Sequence, residues 1–256
     1  MARFTGKVVV VTGAGGGIGR ATAARLAAEE ASLVLVDRVA ATLAETDALV
    51  ARTGAATLAV EADVTRWADV QRYVAAATER FGGVDAFFNN AGVLGAVSPL
   101  TEYPEAEFDR VMAVNVKGVW LGLKGVAPAI AARGGGAIVN TASIAGLRGS
   151  PNIVAYTASK HAVIGLTRTA AIELIRRGIR VNAICPAPIE TPMARELEQA
   201  FGKDNPTRAH ERFAASIPMR RFGEADEVAA LVVFLLSAEA SYVNGGIYTV
   251  DGGSMA

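Results

Sequence analysis

The sequence predicts an α/β fold in which one doubly wound parallel sheet of seven strands carries helices on both faces. Short apolar runs rich in Val, Ile and Leu alternate with longer Ala-rich or amphipathic runs along the whole chain, as in βαβ units. Most of the apolar runs are continuous, which favours strands buried on both faces. The 256 residues are 52% hydrophobic, so we expect one sizeable core and a single domain over residues 1–256.

The elements follow in chain order. The predicted strands are 8–11, 32–36, 57–60, 85–88, 137–142, 179–184 and 247–250, and the predicted helices are 20–30, 39–52, 65–80, 105–132, 154–175, 193–201 and 225–238. Thr65 is expected to cap the third helix. Residues 187–218 are charged, interrupted by prolines and mostly unpatterned. A long irregular segment in a compact domain is often functional, so we expect a substrate lid here.

A glycine-rich turn, with Gly13, Gly17 and Gly19, joins the first strand to the first helix. A strict G-x-G-x-x-G does not fit, and a Walker A loop fails because Arg20 stands where that motif has lysine. Between a strand and a helix, such a turn lets backbone N–H groups face a diphosphate. A merely flexible turn is the alternative.

Two acidic residues follow the next strands. Asp37 ends the second strand about 20 residues after the turn, where a carboxylate reads the adenosine ribose of a dinucleotide; an ordinary helix cap is the alternative. Asp63 and Val64 follow the third strand and could meet the adenine edge.

Tyr156 and Lys160 stand four residues apart in a predicted helix, so their side chains share one helix face. The phenol has a reference pKa of about 10, and a neighbouring ammonium lowers it. We therefore expect Tyr156 to act as a base, with Ser143 at the end of the fifth strand sharing a substrate oxygen. The alternative is a helix surface with a solvated lysine. Asn115, inside a predicted helix, is either a tolerated buried amide or functional.

Charge and cysteine content exclude several classes of function. Lys+Arg and Asp+Glu both number 25, and with no basic stripe neither nucleic acid nor an anionic membrane is expected as a partner. Cys185 is the only cysteine, so an internal disulfide is impossible, and we expect a small core residue. No apolar run has the length of a membrane span. We expect a soluble cytoplasmic protein, and no metal site.

With these motifs in this order, the whole chain resembles the short-chain dehydrogenase/reductase family in its common form of about 250 residues. The resemblance rests on Thr12-Gly13 with Gly17-Ile18-Gly19, Asp63, Asn89-Asn90-Ala91-Gly92, Asn115, Ser143, Tyr156 with Lys160, Asn182 with Pro186, and Thr191.

The resemblance implies roles for these residues. Tyr156 would be the general acid/base, and Ser143 would orient the substrate oxygen. Lys160 would bind the nicotinamide ribose and depress the phenol pKa, while Asn115 would disturb its helix and hold a water that links Lys160 to solvent. The expected cofactor-binding set is Gly13, Gly17, Ile18, Gly19, Asp37, Asp63, Val64, Asn90, Tyr156, Lys160, Pro186, Ile189 and Thr191.

The resemblance also implies the activity. We expect an NAD-dependent oxidoreductase, rather than one using NADP, that interconverts a neutral, bulky or cyclic secondary alcohol and its ketone. The alternatives are a 3-oxoacyl-thioester reductase and a non-catalytic dinucleotide-binding module. Family members are often tetramers, so a homotetramer is expected. The family usually has Pro-Gly after the sixth strand, and Ala187 here would narrow the pocket or shift the lid. The expected substrate residues are Leu94, Ala145, Ile153, Ala187 and Met193.

Overall fold

Seven parallel strands form one sheet in the order β3-β2-β1-β4-β5-β6-β7. The computed structural model describes residues 2–202 and 205–256. The strands are β1 (Val8–Thr12), β2 (Ser32–Asp37), β3 (Thr57–Glu61), β4 (Ala86–Asn89), β5 (Gly136–Thr141), β6 (Ile179–Pro186) and β7 (Ile247–Val250). The strand order reverses between β1 and β4, so a crevice opens there at the carboxyl edge, the usual place for a ligand in such sheets.

The helices cover both faces of the sheet and confirm the predicted fold class. They are α1 (Gly17–Ala28), α2 (Ala40–Ala51), α3 (Trp67–Phe81), α4 (Glu105–Met112), α5 (Val119–Ala132), α6 (Val154–Leu174), α7 (Pro192–Gly202), α8 (Pro206–Ser216) and α9 (Ala225–Leu236). Successive valines of β1 pack against the helix layers on opposite faces of the sheet. Val8 and Val10 pack in the core with α3, α5 and α6, whereas Val9 and Val11 pack in the core with α1, α2 and α9. All four are buried, as the continuous apolar run predicts.

The predicted helix 105–132 is interrupted. Between α4 and α5, Ala113–Gly118 forms a π-helical turn. In such a turn the backbone hydrogen bonds join residues five apart instead of four apart. The apolar pattern does not indicate this turn, and only the family resemblance implied that Asn115 disturbs its helix.

Two further predictions are wrong in detail. Thr65 does not cap α3, because the helix begins after Arg66 and Thr65 instead donates its hydroxyl to Asp63 at 2.8 Å. The segment 187–218 holds a second helix, α8, that the sequence reading missed. Its N-terminus is capped by Asn205, whose side chain accepts a hydrogen bond from the Arg208 amide. Residues 203–204 of the predicted lid lie outside the described residues, and the lid role stays a prediction.

Within the described residues, no helix combines the length and the apolar character needed to cross a membrane.

Candidate active site

The glycine-rich turn between β1 and α1 is closely packed. A Cβ at Gly19 would lie 2.0 Å from the carbonyl oxygen of Gly13, so no side chain fits at that position. Gly17 opens α1 with a φ of +50°, and the Cγ2 of Thr191 would lie only 3.1 Å from a Cβ there. Ile18 packs partly into the layer beside α1 and α9. No side chain of the described residues caps α1, so its first N–H groups can serve an anion.

The Asp37 carboxylate sits beside this turn. Its Oδ2 accepts a hydrogen bond from the Gly15 amide at 2.9 Å, and its Oδ1 accepts one from the Val39 amide at 3.1 Å. Helix α2 begins after Val39, so Asp37 is not its N-cap residue. A Cβ at Gly15 would lie 2.5 Å from the Thr42 hydroxyl and 2.9 Å from Asp37 Oδ2. The turn therefore has no room for a side chain next to this carboxylate.

A cavity of about 260 Å³ brings several of the predicted cofactor residues together. Its walls include Gly13, Asp37, Asp63 and Val64, as the sequence predicts, together with Arg38 and the loop 91–93 after β4. Arg110, Ala113 and Val114 complete the wall from α4 and the π turn. The sequence reading missed these three residues, since nothing in the pattern of a long helix indicates which of its residues line a cleft.

Asn90 joins the ends of three strands. Its side-chain amide donates to the carbonyl of Thr12 at 3.0 Å, and its Oδ1 accepts from the Thr141 hydroxyl at 3.1 Å. Its backbone N–H in turn donates to the Thr12 hydroxyl at 3.0 Å. Asn90 therefore fixes the backbone at the floor of the crevice, next to the place where the resemblance puts a ribose.

Tyr156, Lys160 and Ser143 meet at the same edge of the sheet. Tyr156 and Lys160 occupy the first two turns of α6, and the Lys160 ammonium lies 5.4 Å from the centre of the Tyr156 ring. Lys160 is 3% exposed, and its Nζ donates to the Thr141 carbonyl at 2.8 Å. Ser143 follows β5, and its hydroxyl accepts from the Ala145 amide at 3.1 Å. The alternative of a solvated lysine is therefore excluded.

The pKa values correct one expectation. Burial raises the pKa of the Tyr156 phenol above its ordinary value, and a hydrogen bond with Ser143 only partly opposes this rise. Burial also lowers the pKa of Lys160 to about 8. This direction is opposite to the depression expected from a neighbouring ammonium, because removal from water dominates the phenol pKa. The depression with the help of a bound cofactor's charge stays a prediction.

Asn115 lies in the π turn and is fully buried. Its Oδ1 accepts from the Val93 amide at 2.8 Å, and its Nδ2 donates to the Val93 carbonyl at 2.9 Å and to the Ser159 hydroxyl at 3.0 Å. The predicted disturbance of the helix is present. The water expected at Asn115 stays a prediction.

The remaining predicted cofactor residues lie on the segment that follows β6. Pro186 ends that strand, and its carbonyl lies 3.5 Å from the Ser143 hydroxyl. Ile189 pairs with Gly223 in an isolated parallel bridge, and the Thr191 hydroxyl donates to the Ile189 carbonyl at 3.0 Å. Thr191 thus reaches from this segment to the glycine turn at Gly17.

The predicted substrate residues fall into two groups. Leu94, Ala145 and Ile153 are buried, and Met193 is half-buried on α7. Ala187 lines a different cavity, of about 110 Å³, with Ile217, Met219, Gly252 and others. None of the other four predicted substrate residues lines that cavity. Cys185 is buried and burial raises its thiol pKa to about 11, which agrees with a core residue.

Helices α7 and α8 pack together as a small unit. His210 of α8 shares a 2.8 Å hydrogen bond with Glu198 of α7, and its ring stacks 4.3 Å from that of Phe222. A separate buried cluster of Ala194, Ile217 and Phe222 holds the unit together.

Comparisons with known proteins agree with this site. Residues 13–255 match the family model described as "Enoyl-(Acyl carrier protein) reductase". Levodione reductase of Leifsonia aquatica is 49% identical over 256 residues, covering 99% of this chain and 96% of that protein. Cyclohexanol dehydrogenase of an Acinetobacter species is 43% identical over 251 residues, covering 98% and 95%.

Solved structures superpose closely. The crystal structure of levodione reductase has a TM-score of 0.96 and covers 98% of both chains at 49% identity. The structure of NAD⁺-bound xylitol dehydrogenase has a TM-score of 0.95 at 39% identity, covering 98% of this chain and all of that one (100%). A family match over nearly the whole chain, a shared fold and a Tyr-x-x-x-Lys site at the crevice lead to one conclusion: this chain is an oxidoreductase of the short-chain dehydrogenase/reductase family.

Proposed function

We propose that the protein is an NAD-dependent dehydrogenase that interconverts a neutral cyclic or bulky secondary alcohol and its ketone. One observation carries this proposal: Tyr156, Lys160 and Ser143 meet at the crevice edge that also holds the glycine turn and Asp37. Relatives over the full chain include a levodione reductase and a cyclohexanol dehydrogenase.

The crevice fits a dinucleotide. The turn at Gly13, Gly17 and Gly19 leaves backbone N–H groups at the start of α1 for a diphosphate, and Ile18 lies in the same turn. Asp37 retains lone pairs for the adenosine ribose, since each of its oxygens accepts one backbone N–H. Asp63 and Val64 line the same cavity and would flank the adenine. Asn90, Pro186, Ile189, Thr191 and Lys160 would hold the nicotinamide half.

The space and the charge beside Asp37 favour NAD over NADP. A 2′-phosphate would place about two negative charges against the Asp37 carboxylate, and Gly15 has no room for a basic side chain beside it. Arg38, next to Asp37 in sequence, is a cation of the cavity wall that could oppose this preference. A solved relative, xylitol dehydrogenase, binds NAD⁺.

The residues of the site divide the chemistry between them. When bound, the nicotinamide ring supplies a hydride acceptor or donor. In alcohol oxidation, Tyr156 Oη takes the hydroxyl proton as general base, and in ketone reduction it returns that proton. Ser143 Oγ orients the substrate oxygen. The Lys160 ammonium, held by the Thr141 carbonyl, favours the phenolate of Tyr156. Burial by itself raises the phenol pKa, so the Lys160 ammonium would need the help of a bound cofactor's positive charge to lower that pKa.

The proposed substrate follows from the apolar character of the predicted substrate residues. Leu94, Ala145 and Ile153 are apolar and buried, and Met193 and Ala187 are apolar and half-buried. An uncharged ring is therefore the best match. A 3-oxoacyl-thioester reductase is the second candidate, because a solved structure of a 3-ketoacyl-(acyl-carrier-protein) reductase from Brucella melitensis is 36% identical to this chain with a TM-score of 0.89.

The test is a substrate panel. Purified protein is assayed at 340 nm with NAD or NADP against cyclohexanol, a substituted cyclohexanol, 2-octanol and xylitol, and in reverse with the ketones and a 3-oxoacyl thioester. We expect the highest kcat/KM for a cyclic alcohol with NAD. Turnover confined to the 3-oxoacyl thioester would assign the second candidate, and absence of turnover with every substrate would favour a non-catalytic module.

We further propose a cytoplasmic homotetramer. Large apolar side chains are exposed on the outer helices, among them Trp120 of α5 at 46% and Ile172 of α6 at 76%, and such surfaces favour association. The single cysteine fits a reducing compartment. Light scattering after size-exclusion chromatography should give about four times the 26.4 kDa chain mass; a mass of one chain would refute the assembly.

A further inference from the structure

A continuous line of hydrogen bonds runs from the loop after β4 to the first turn of α6. Asn115 holds both the N–H and the C=O of Val93. Its second amide hydrogen goes to the Ser159 hydroxyl at 3.0 Å, and that hydroxyl donates to the Tyr156 carbonyl at 2.7 Å. Both Asn115 and Ser159 are fully buried.

Every hydrogen-bonding group of this line has a definite partner. An asparagine side chain offers two donor hydrogens and one oxygen acceptor, and all of these are used at Asn115. The Ser159 hydroxyl acts as donor and acceptor at once. Because the side chains of Asn115 and Ser159 are fully buried, the direction of each bond is set by its neighbours.

We propose that Ser159 is a positioning residue for the reaction. Ser159 precedes Lys160 and lies three residues after Tyr156, so its hydroxyl fixes the Tyr156 carbonyl relative to the π turn. A serine hydroxyl that donates to a carbonyl one turn earlier changes the local pitch of a helix. Through this bond, the positions of Asn115 and Val93 determine the position of the Tyr156 phenol and that of the Lys160 ammonium one turn later. The proposal rests on the proposed role of Tyr156 as general acid/base.

Helix α6 provides a matched control two turns further on. The Thr167 hydroxyl donates to the Val163 carbonyl at 2.8 Å and accepts from the Asn140 side-chain amide at 3.0 Å. Thr167 is also fully buried. It thus has the same bonding pattern as Ser159 but lies away from Tyr156 and Lys160.

The experiment compares Ser159→Ala with Thr167→Val, each of which removes one buried hydroxyl. For each variant, kcat and KM are measured with NAD and the best alcohol of the panel, NADH binding is measured by fluorescence, and the unfolding temperature is recorded. We expect similar losses of unfolding temperature. For Ser159→Ala, kcat should fall at least about 10-fold, since a misplacement of 1 Å can cost about 100-fold. The Kd for NADH should change less than about 3-fold. For Thr167→Val, kcat should stay within about 2-fold of the parent.

Two outcomes would overturn the proposal: a Ser159→Ala enzyme with kcat within about 2-fold of the parent, or equal losses of kcat in the two variants. If Ser159→Ala does not fold, Ser159→Cys carries the same test, because a thiol is a weaker donor of similar size; its kcat should fall about 3-fold or more. A parallel Tyr156→Phe variant separates the two hypotheses. Retained turnover in Tyr156→Phe refutes the proposed function, whereas an inactive Tyr156→Phe beside a fully active Ser159→Ala refutes only the role of Ser159.

Discussion

Replacing Lys160 by methionine should make the protein more stable at neutral pH while destroying its activity. Lys160 is 3% exposed, and burial lowers its pKa from 10.5 to about 8. That difference corresponds to about 3 kcal/mol of unfavourable free energy whenever the buried amine carries its proton. The Lys160→Met variant removes this cost but leaves the Thr141 carbonyl without its 2.8 Å donor, which costs about 1 kcal/mol. We therefore expect a net gain of about 2 kcal/mol at pH 6.5.

The gain should vanish as pH rises. Between pH 8 and 10.5 the unfolded chain binds more protons at this lysine than the folded chain, so the parent becomes more stable with increasing pH. By pH 9.5 the parent should have regained about 2 kcal/mol relative to the variant. Parent and variant should therefore converge.

The assay is urea unfolding followed by circular dichroism at pH 6.5, 8.0 and 9.5. The difference between the two proteins isolates Lys160, since other titrating groups are common to both. Lys124→Met, at an exposed lysine of α5, is the control and should show no such pH-dependent difference. For a chain of this length, about 2 kcal/mol also corresponds to a rise of roughly 4–8 °C in unfolding temperature. A constant difference between parent and Lys160→Met from pH 6.5 to 9.5 would refute the reasoning.

Three further predictions concern chemistry and selectivity. Tyr156→Phe removes the proton carrier but keeps the ring, so kcat should fall at least about 100-fold with unchanged NADH binding; substantial residual turnover would rule out Tyr156 as acid/base. Asp37→Ala should erode a preference for NAD of at least about 100-fold in kcat/KM, because the carboxylate that repels a 2′-phosphate is lost and Arg38 is free to assist. An unchanged ratio of the two cofactors would remove Asp37 from this role. Ala187→Gly should widen acceptance of bulky alcohols without altering cofactor choice, and an identical substrate panel would show that the methyl group does not shape the pocket.

Much of the fold could be predicted because the sheet is buried on both sides. A strand such as β1, with Val8 to Val11 all buried, leaves an unmistakable apolar run, and a glycine turn then marks the start of α1. Helix α8 left no comparable signal. More than half of its residues are polar or charged and only Ala209 is buried, so the short stripe of Ala209 and Phe213 is a weak signal for an amphipathic helix.

The sequence predicts which residues meet at the site, but not the π turn or the direction of the pKa shift of Tyr156. The structure brings Tyr156, Lys160 and Ser143 together as expected. The helical spacing of the first two, and the position of Ser143 after a strand, are local properties of the sequence. The π turn at Asn115 arises from bonds to Val93 and Ser159, which are distant in sequence, so no local pattern encodes it. The direction of the Tyr156 pKa shift depends on the balance of burial and charge in the folded protein, and spacing gives only the charge.

The separate cluster of Ala194, Ile217 and Phe222 has a consequence for motion. Since α7 and α8 hold their own small core apart from the two layers of the sheet, we expect them to open as a unit while the sheet stays intact. Their amide hydrogens would then exchange with solvent at a free energy well below that of global unfolding. A ligand that binds only when the unit is closed has a weaker apparent affinity, because a fraction of the protein is in the open state. Substitutions in this cluster, far from any reacting atom, could therefore tune affinity through the population of the closed state.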